Sequence, residues 1–366
     1  MEKNHINSYS LLLVLAFCGL SFINSQSKGG QNILLGAYYF DGWSLSSSHI
    51  TPILTKSFSE REPKWGWVTS NQNIIDKQII EASNAGLAFF SFCWYTSKEN
   101  QKNPLNNALE LYHKSKYNKR LKFCLLIANH EGSYVTPKNW EASTDQWISE
   151  FVTKQYLKVD KKPLIIFFSI DNLINMFGSP DAVKAAFDSF RLKAANSGLG
   201  GISIAVCVTS KGTTLKLSEQ CGFDLVTGYN HHGFGFSGQN QQVSLDSMQN
   251  SEYKMWNNLS NWSRLPYIPV STLNWDPRPW ANARNGYKDA HYYVGYSQKS
   301  VYKSVSQLVY WLKNNPKNTT KEKIGLLYAW NENGEGAYLT PSKNGENMLM
   351  GVKKALKSPI APQPKL

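Results

Sequence analysis

Eight short apolar runs, set apart by amphipathic or polar stretches, constrain this chain more than any other feature. They are ILLGAYYF (33–40), LAFFSFCW (87–94), KFCLLIAN (122–129), PLIIFFS (163–169), ISIAVCVT (202–209), DLVTGYN (224–230), YIPVSTLNW (267–275) and KIGLLYAW (323–330). Most are nearly continuous in apolar residues, which marks strands covered on both faces, as in a parallel sheet. The segments between them carry the helical period. NQNIIDKQIIEASNAG (71–86) gathers Ile74, Ile75, Gln78, Ile79 and Ala82 on one side and stops at Gly86. NPLNNALELYHKSK, TDQWISEFVTKQYL, PDAVKAAFDSFRLKAANSG and YKSVSQLVYWLKNN behave alike. Strand and helix in alternation, eight times over, predict an α/β fold: a (β/α)8 TIM barrel in a single domain. The fifth and sixth runs lie too close together for a full helix, and segments 41–70 and 231–262 read as long loops after the first and sixth strands.

The ends of the chain are of a different kind. MEKNHINSYSLLLVLAFCGLSFINSQ has the charged start, apolar middle and small polar finish of a secretory signal peptide, which the reading places at 1–25. Its apolar stretch is too short for a stable membrane span. A lipid anchor at Cys18 is disfavoured by Phe17 before it. The barrel is then expected over 26–358 with a flexible tail at 359–366, in an exported protein that is periplasmic, on the outer surface or secreted.

Lys and Arg number 39 against 26 Asp and Glu, and losing 1–25 removes one of each sign, so the charge stays at +13. A lysine-rich solvated surface accounts for most of this. An anionic polysaccharide or oligosaccharide partner is the sharper alternative. Nucleic acid is disfavoured by the export signal and the lack of any recognisable binding motif. Cys93, Cys124, Cys207 and Cys221 show no metal-ligand spacing, so buried free thiols are expected.

In such a barrel the chemistry gathers just past the C-terminal ends of the strands, which converge on one mouth. Those positions hold Tyr38, Tyr39 and Asp41; Trp94 and Tyr95; Asn129 and Glu131; Tyr229 and His231; Trp275 and Asp276; and Trp330. Aromatic faces stack on the C–H faces of sugars while polar groups bond at their edges, so these are the candidate substrate-binding residues. His231 and His232 have no third ligand at metal spacing, and no metal or cofactor is expected. The eighth run ends in YAWNENGEGAY (328–338), which sets Glu332 and Glu335 three apart among glycines. Glycoside cleavage needs two such groups, one donating a proton and one acting as nucleophile or base. Spacing alone is equally consistent with two solvated loop glutamates.

WNENGEGAYLTP (330–341) resembles the closing signature of glycoside hydrolase family 99 and its WbsX-like relatives, with both glutamates at the same spacing. GAYYFDGWS (36–44), PKWGW (63–67), FFSFCWY (89–95), YLKVDKKPLI (156–165) and PVSTLNWDPRPW (269–280) are similar to further family segments in the same order. The resemblance implies a (β/α)8 enzyme that cleaves α-mannosidic linkages, usually within a chain and with retention. It implies Glu332 as the base toward the sugar 2-hydroxyl, Glu335 as general acid/base, and Glu131 and Tyr229 at the binding subsite. Asn333 stands where the family commonly has an aromatic, which predicts a missing stacking wall. The expected function is a secreted retaining glycoside hydrolase acting on a polysaccharide, in one form endo-acting on α-mannosidic or acidic-glycan linkages. The alternatives are a non-catalytic glycan-binding barrel and a WbsX-like glycosyltransferase.

Overall fold

The computed structural model describes residues 33–357 apart from 46, 98–101, 210–211, 237 and 239. The expected signal peptide, Cys18 and the tail at 359–366 lie outside the described residues. Each of the eight apolar runs contains one strand: β1 Leu34–Tyr39, β2 Phe89–Trp94, β3 Lys122–Ile127, β4 Lys162–Phe167, β5 Ser203–Cys207, β6 Leu225–Thr227, β7 Val270–Thr272 and β8 Ile324–Tyr328. All neighbours are parallel, in the order β6-β5-β4-β3-β2-β1-β8-β7. The barrel is nearly closed. At its last seam β6 meets the approach to β7 through one bridge, Val226 to Tyr267. There the Ile268 N–H donates to the Val226 carbonyl at 2.9 Å, and Thr227 Oγ1 donates to the Ile268 carbonyl at 2.8 Å.

Strand geometry turns alternate side chains to opposite faces. Along β1, Tyr38 faces the lumen, where its hydroxyl donates to the Gly228 carbonyl at 2.7 Å, whereas Tyr39 packs outward on Phe90 and Phe92. Gly36, also lumenal, leaves the space that Phe89 fills: a Cβ there would stand 2.3 Å from the Phe89 ring.

The helix over Gln72–Ala85 runs as its period predicts, capped by Asn71 and ended by Gly86 at φ +96°. The helix after β3 spans Pro137–Phe151, starting earlier than the periodicity predicts. The start is set by Thr136 and Asn139, which cap each other's backbone ahead of the first turn, with Pro137 at the first helical position. A nine-residue helix, Gly212–Gln220, fits between β5 and β6. The stretch 231–262, expected as loop, holds an 18-residue helix, Leu245–Trp262. Its Asn- and Ser-rich composition hides a buried stripe of Met248, Met255, Trp256 and Leu259.

No helix among the described residues is long and apolar enough to cross a membrane. Outside the sheet the core is aromatic. Trp147 is wholly buried and meets Trp94, Trp140, Phe167 and Phe190 with centroids 5.4 to 5.7 Å away. Emptying that site removes both the transfer energy and the contacts of four rings. Trp147→Ala should therefore lower stability by about 3–5 kcal/mol, read as a drop in the denaturation midpoint at unchanged slope.

Candidate active site

The segment after β8 leaves the sheet as a tight hairpin. Asn331 and Glu332 pair antiparallel with Tyr338 and Ala337 around a one-turn 3-10 helix at Asn333–Glu335. Gly336 closes it at φ +72°, a conformation that favours glycine.

Three neighbours hold this hairpin. Toward β1, the Asn331 amide mimics a strand residue: it accepts from the Phe40 N–H at 2.8 Å and donates to the Phe40 carbonyl at 2.6 Å. Toward β7, the Asp276 N–H donates to the Glu335 carbonyl at 2.7 Å, and Asn274 Nδ2 donates to the Gly336 carbonyl at 2.9 Å. From the loop after β1, Arg61 pairs with the Asp276 carboxylate and reaches the carbonyls of Asp276, Asn333 and Gly334 at 3.1 to 3.5 Å. Asn333 Nδ2 donates back to the Arg61 carbonyl at 2.8 Å. Arg278 completes the clasp, placing Nε 2.7 Å from Asp276 Oδ1. The paired charges hold Asp276 below its ordinary range even though burial pushes the other way.

So held, both glutamates border one cavity of about 240 Å³ walled by Phe40, His49, Tyr95, His130, Phe168, Tyr229 and Trp280. Glu332 is buried. Its Oε1 accepts from the Tyr229 hydroxyl at 2.7 Å, and its Oε2 has no protein partner. Burial raises its pKa to about 7, with the Tyr229 bond acting against the rise. Glu335 is partly exposed to the cavities but otherwise enclosed by protein, and loss of hydration raises its pKa to about 8. A second cavity of about 490 Å³ lies beside the first, lined by His232, Phe234, Trp275 and Tyr287, and shares Phe168, Tyr229 and Glu335 with it. Glu335 thus stands at the junction of the two.

The structure brings Glu332, Glu335, Tyr95, Tyr229 and Trp275 to these cavities. His231 borders the second, but its ring is buried with Nδ1 3.5 Å from Glu252. It is His232 that stacks on Trp275, with centroids 3.8 Å apart. Other expected site residues serve the frame. Tyr38 lies behind Tyr229, Tyr39 and Trp94 face the helical layer, and Trp330 Nε1 donates to Gln78 Oε1 at 2.8 Å. Asp41 Oδ2 accepts from the Ala108 N–H at 2.5 Å and from Ser70 Oγ at 3.0 Å, at the start of the 107–114 helix. Asn129 ties down the segment after β4 through Ser169. Asp276 belongs to the arginine clasp, and Glu131 is exposed and borders neither cavity.

Sequence reasoning missed His49, Phe168 and Trp280 as site residues, and although His130 and His232 stand at strand ends it selected neither. Alternation points to His130 and Phe168, which share the lumenal face with Leu126 and Ala128. Trp280 is set by a turn, and no period marks it. Among the described residues no group of three or more His, Cys, Asp or Glu is placed to hold a metal ion, and all four described cysteines are free.

The family model described as Glycosyltransferase WbsX matches residues 67–352. Among solved structures the chain is similar to a "Glycoside hydrolase-like protein", with 14% identity over 90% of this chain and 95% of that one and a TM-score of 0.61. It is also similar to the glycoside hydrolase family 99 endo-alpha-mannosidase from Bacteroides thetaiotaomicron, with 15% identity over 88% and 95% of the two chains and a TM-score of 0.59. At these identities the likeness is one of fold. No curated protein matches the sequence.

Breaking one partner of a buried ion pair leaves an uncompensated charge. Arg61→Leu should cost about 3–5 kcal/mol and loosen the hairpin, so chemical denaturation and any turnover measured on the same sample should fall together.

Proposed function

The chain belongs to the family described as Glycosyltransferase WbsX, and from that premise we propose that it is an exported, retaining glycoside hydrolase of polysaccharides with Glu332 and Glu335 as its catalytic pair. The carrying observation is that both carboxylates border one aromatic cavity and that Glu335 alone of the two also borders the second. A glycosidic bond lying between the cavities has Glu335 at the departing oxygen, with the sugar being cleaved in the cavity that also holds Glu332.

The protonation states suit those roles. Burial raises both carboxyls, Glu332 to about 7 and Glu335 to about 8, so each can hold or release a proton near neutral pH, and the family resemblance makes Glu332 the base and Glu335 the acid. Glu332 removes the proton from the sugar 2-hydroxyl, whose oxygen attacks the anomeric carbon from the face opposite the leaving group. The anomeric C–O bond breaks as Glu335 protonates the departing oxygen. Water then opens the three-membered ring: Glu335 takes a proton from the water, and Glu332 returns its own to the 2-oxygen. Two displacements give net retention. The Tyr229 hydroxyl holds Glu332 by Oε1, and Oε2 is buried without a protein partner. An α-mannoside, whose 2-hydroxyl lies trans to the leaving group, suits this sequence, and the structurally similar family 99 protein is an endo-alpha-mannosidase. The +13 charge favours a mannan whose uronate or phosphate groups meet the outer surface rather than the two cavities, since no lysine or arginine is among the described residues that line them.

The family's description favours a transferase as the second reading. A nucleotide-sugar diphosphate would need cations beside it, yet among the described residues that line the two cavities there is no lysine or arginine. Incubation with nucleotide sugars should release no nucleotide.

Glu332→Gln and Glu335→Gln should each lower turnover of a susceptible polysaccharide by about 10²–10⁴ while circular dichroism stays native. Near-native turnover in either would remove that residue from the pair and support a glycan-binding barrel. In the wild type, activity requires Glu332 ionised and Glu335 protonated. kcat/KM should thus rise through about pH 7 and fall through about pH 8, as macroscopic values of the pair. Stability carries the opposite sign to a salt-bridged acid. Both folded pKa values lie above the ordinary 4.5, so this contribution is full below pH 4.5 and is lost as pH rises toward about 8.

A further inference from the structure

We propose that Trp280 is the stacking platform for the sugar being cleaved, supplied from the loop after β7, and that residue 334 is glycine because the indole occupies the space its side chain would need. A Cβ on Gly334 would stand 2.1 to 2.3 Å from Trp280 Cε2, Cζ2 and Nε1. Gly334 is absent from the residues with positive φ, so the backbone there accepts any residue and the obstacle is steric alone. The indole therefore lies directly against the turn between Glu332 and Glu335, and it lines the cavity that both carboxylates border.

Its position is fixed on every side. Pro277 precedes, and Pro279 lies within, a short 3-10 turn at Arg278–Trp280. Thr51 Oγ1 holds the Pro279 carbonyl at 2.8 Å, and Asn285 Nδ2 holds the Trp280 carbonyl at 2.9 Å. Phe40 and His49 meet the ring edge to face, at 6.3 and 5.6 Å. Trp280 Nε1 is buried without a partner. A rigid, partly exposed indole beside two carboxylates fits the apolar face of a pyranose ring, since stacking there costs little conformational entropy. The aromatic wall that Asn333 does not provide comes from a different loop, and Asn333 instead fastens the turn to Arg61.

The proposal rests on the glycan-cleaving reading of this cavity, and the test separates the two. Wild type, Trp280→Ala, Trp280→Phe, Gly334→Ala and the Trp280→Ala/Gly334→Ala double variant are run by affinity electrophoresis in gels containing yeast α-mannan, polygalacturonate or heparin. At least one polymer should retard the wild type, and Trp280→Ala should weaken that interaction about tenfold with Trp280→Phe between them. Gly334→Ala, which displaces the indole, should weaken it similarly, and the double variant should be no worse than Trp280→Ala alone. Melting temperature should show the same rescue, because the clash disappears with the indole. Equal retardation of wild type and Trp280→Ala, retardation of neither by any polymer, or additive losses in the double variant would each overturn the proposal. Turnover by Glu332→Gln and Glu335→Gln decides the catalytic reading separately: their full activity with Trp280-dependent binding would leave the platform standing and remove the chemistry.

Discussion

One buried ion pair carries the geometry of the mouth. Arg61 comes from the loop after β1, Asp276 from the loop after β7, and the turn they clamp follows β8. A lone charge at that depth is costly to bury, so the two must meet, and their meeting draws three loops to one point. The guanidinium's fork explains why arginine serves here: one arm satisfies the carboxylate while the other reaches the backbone carbonyls of Asp276 and of Gly334 in the 3-10 turn. With the turn fixed, neither glutamate is placed by a charged neighbour. Burial governs both, which is why both are raised.

The barrel beneath supplies rigidity rather than chemistry. Its lumen is filled by Phe89, Tyr38 and their neighbours, and the two cavities lie in the layer above, where Leu126, Phe168 and Tyr229 stand. Between sheet and helices the packing is ring against ring around Trp147 and Phe123. Such a core resists rearrangement, and the loops above can hold two buried acids in place because the layer below does not yield.

The eight strands were legible because a doubly covered strand needs a short apolar run, and these eight recur between segments of helical period. The catalytic candidates were legible because they follow the last run directly. Which strand-end side chains face the mouth was only half legible. Alternation separates Tyr38 from Tyr39 and His130 from Asn129, yet it fails once the chain turns: beyond Tyr229 it is His232 that reaches the cavity while His231 is folded inward. Asp41 and Asp276 look like site carboxylates in sequence, but Asp41 accepts at a helix start while burial raises its pKa to about 7, and Asp276 is paired with two arginines; such partners lie far away along the chain. The helix at Leu245–Trp262 was hidden by polar residues on its outer side. Trp280 could not be found by period at all, since a proline-containing turn decides where it lies.

Asn331 never touches either cavity, yet it sets the terms on which β8 can end. A chain that leaves a sheet normally strands a backbone donor and acceptor on the neighbour it abandons. Here the primary amide of one side chain replaces both, offering a carbonyl to the Phe40 N–H and an amino group to the Phe40 carbonyl. Aspartate has the reach but lacks the donor, and leucine has the volume but neither function. The main chain is thereby released from the ladder one residue before Glu332, and a hydrogen-bonding debt that would have forced the strand onward is settled sideways. The direction in which the acid points is encoded in its neighbour.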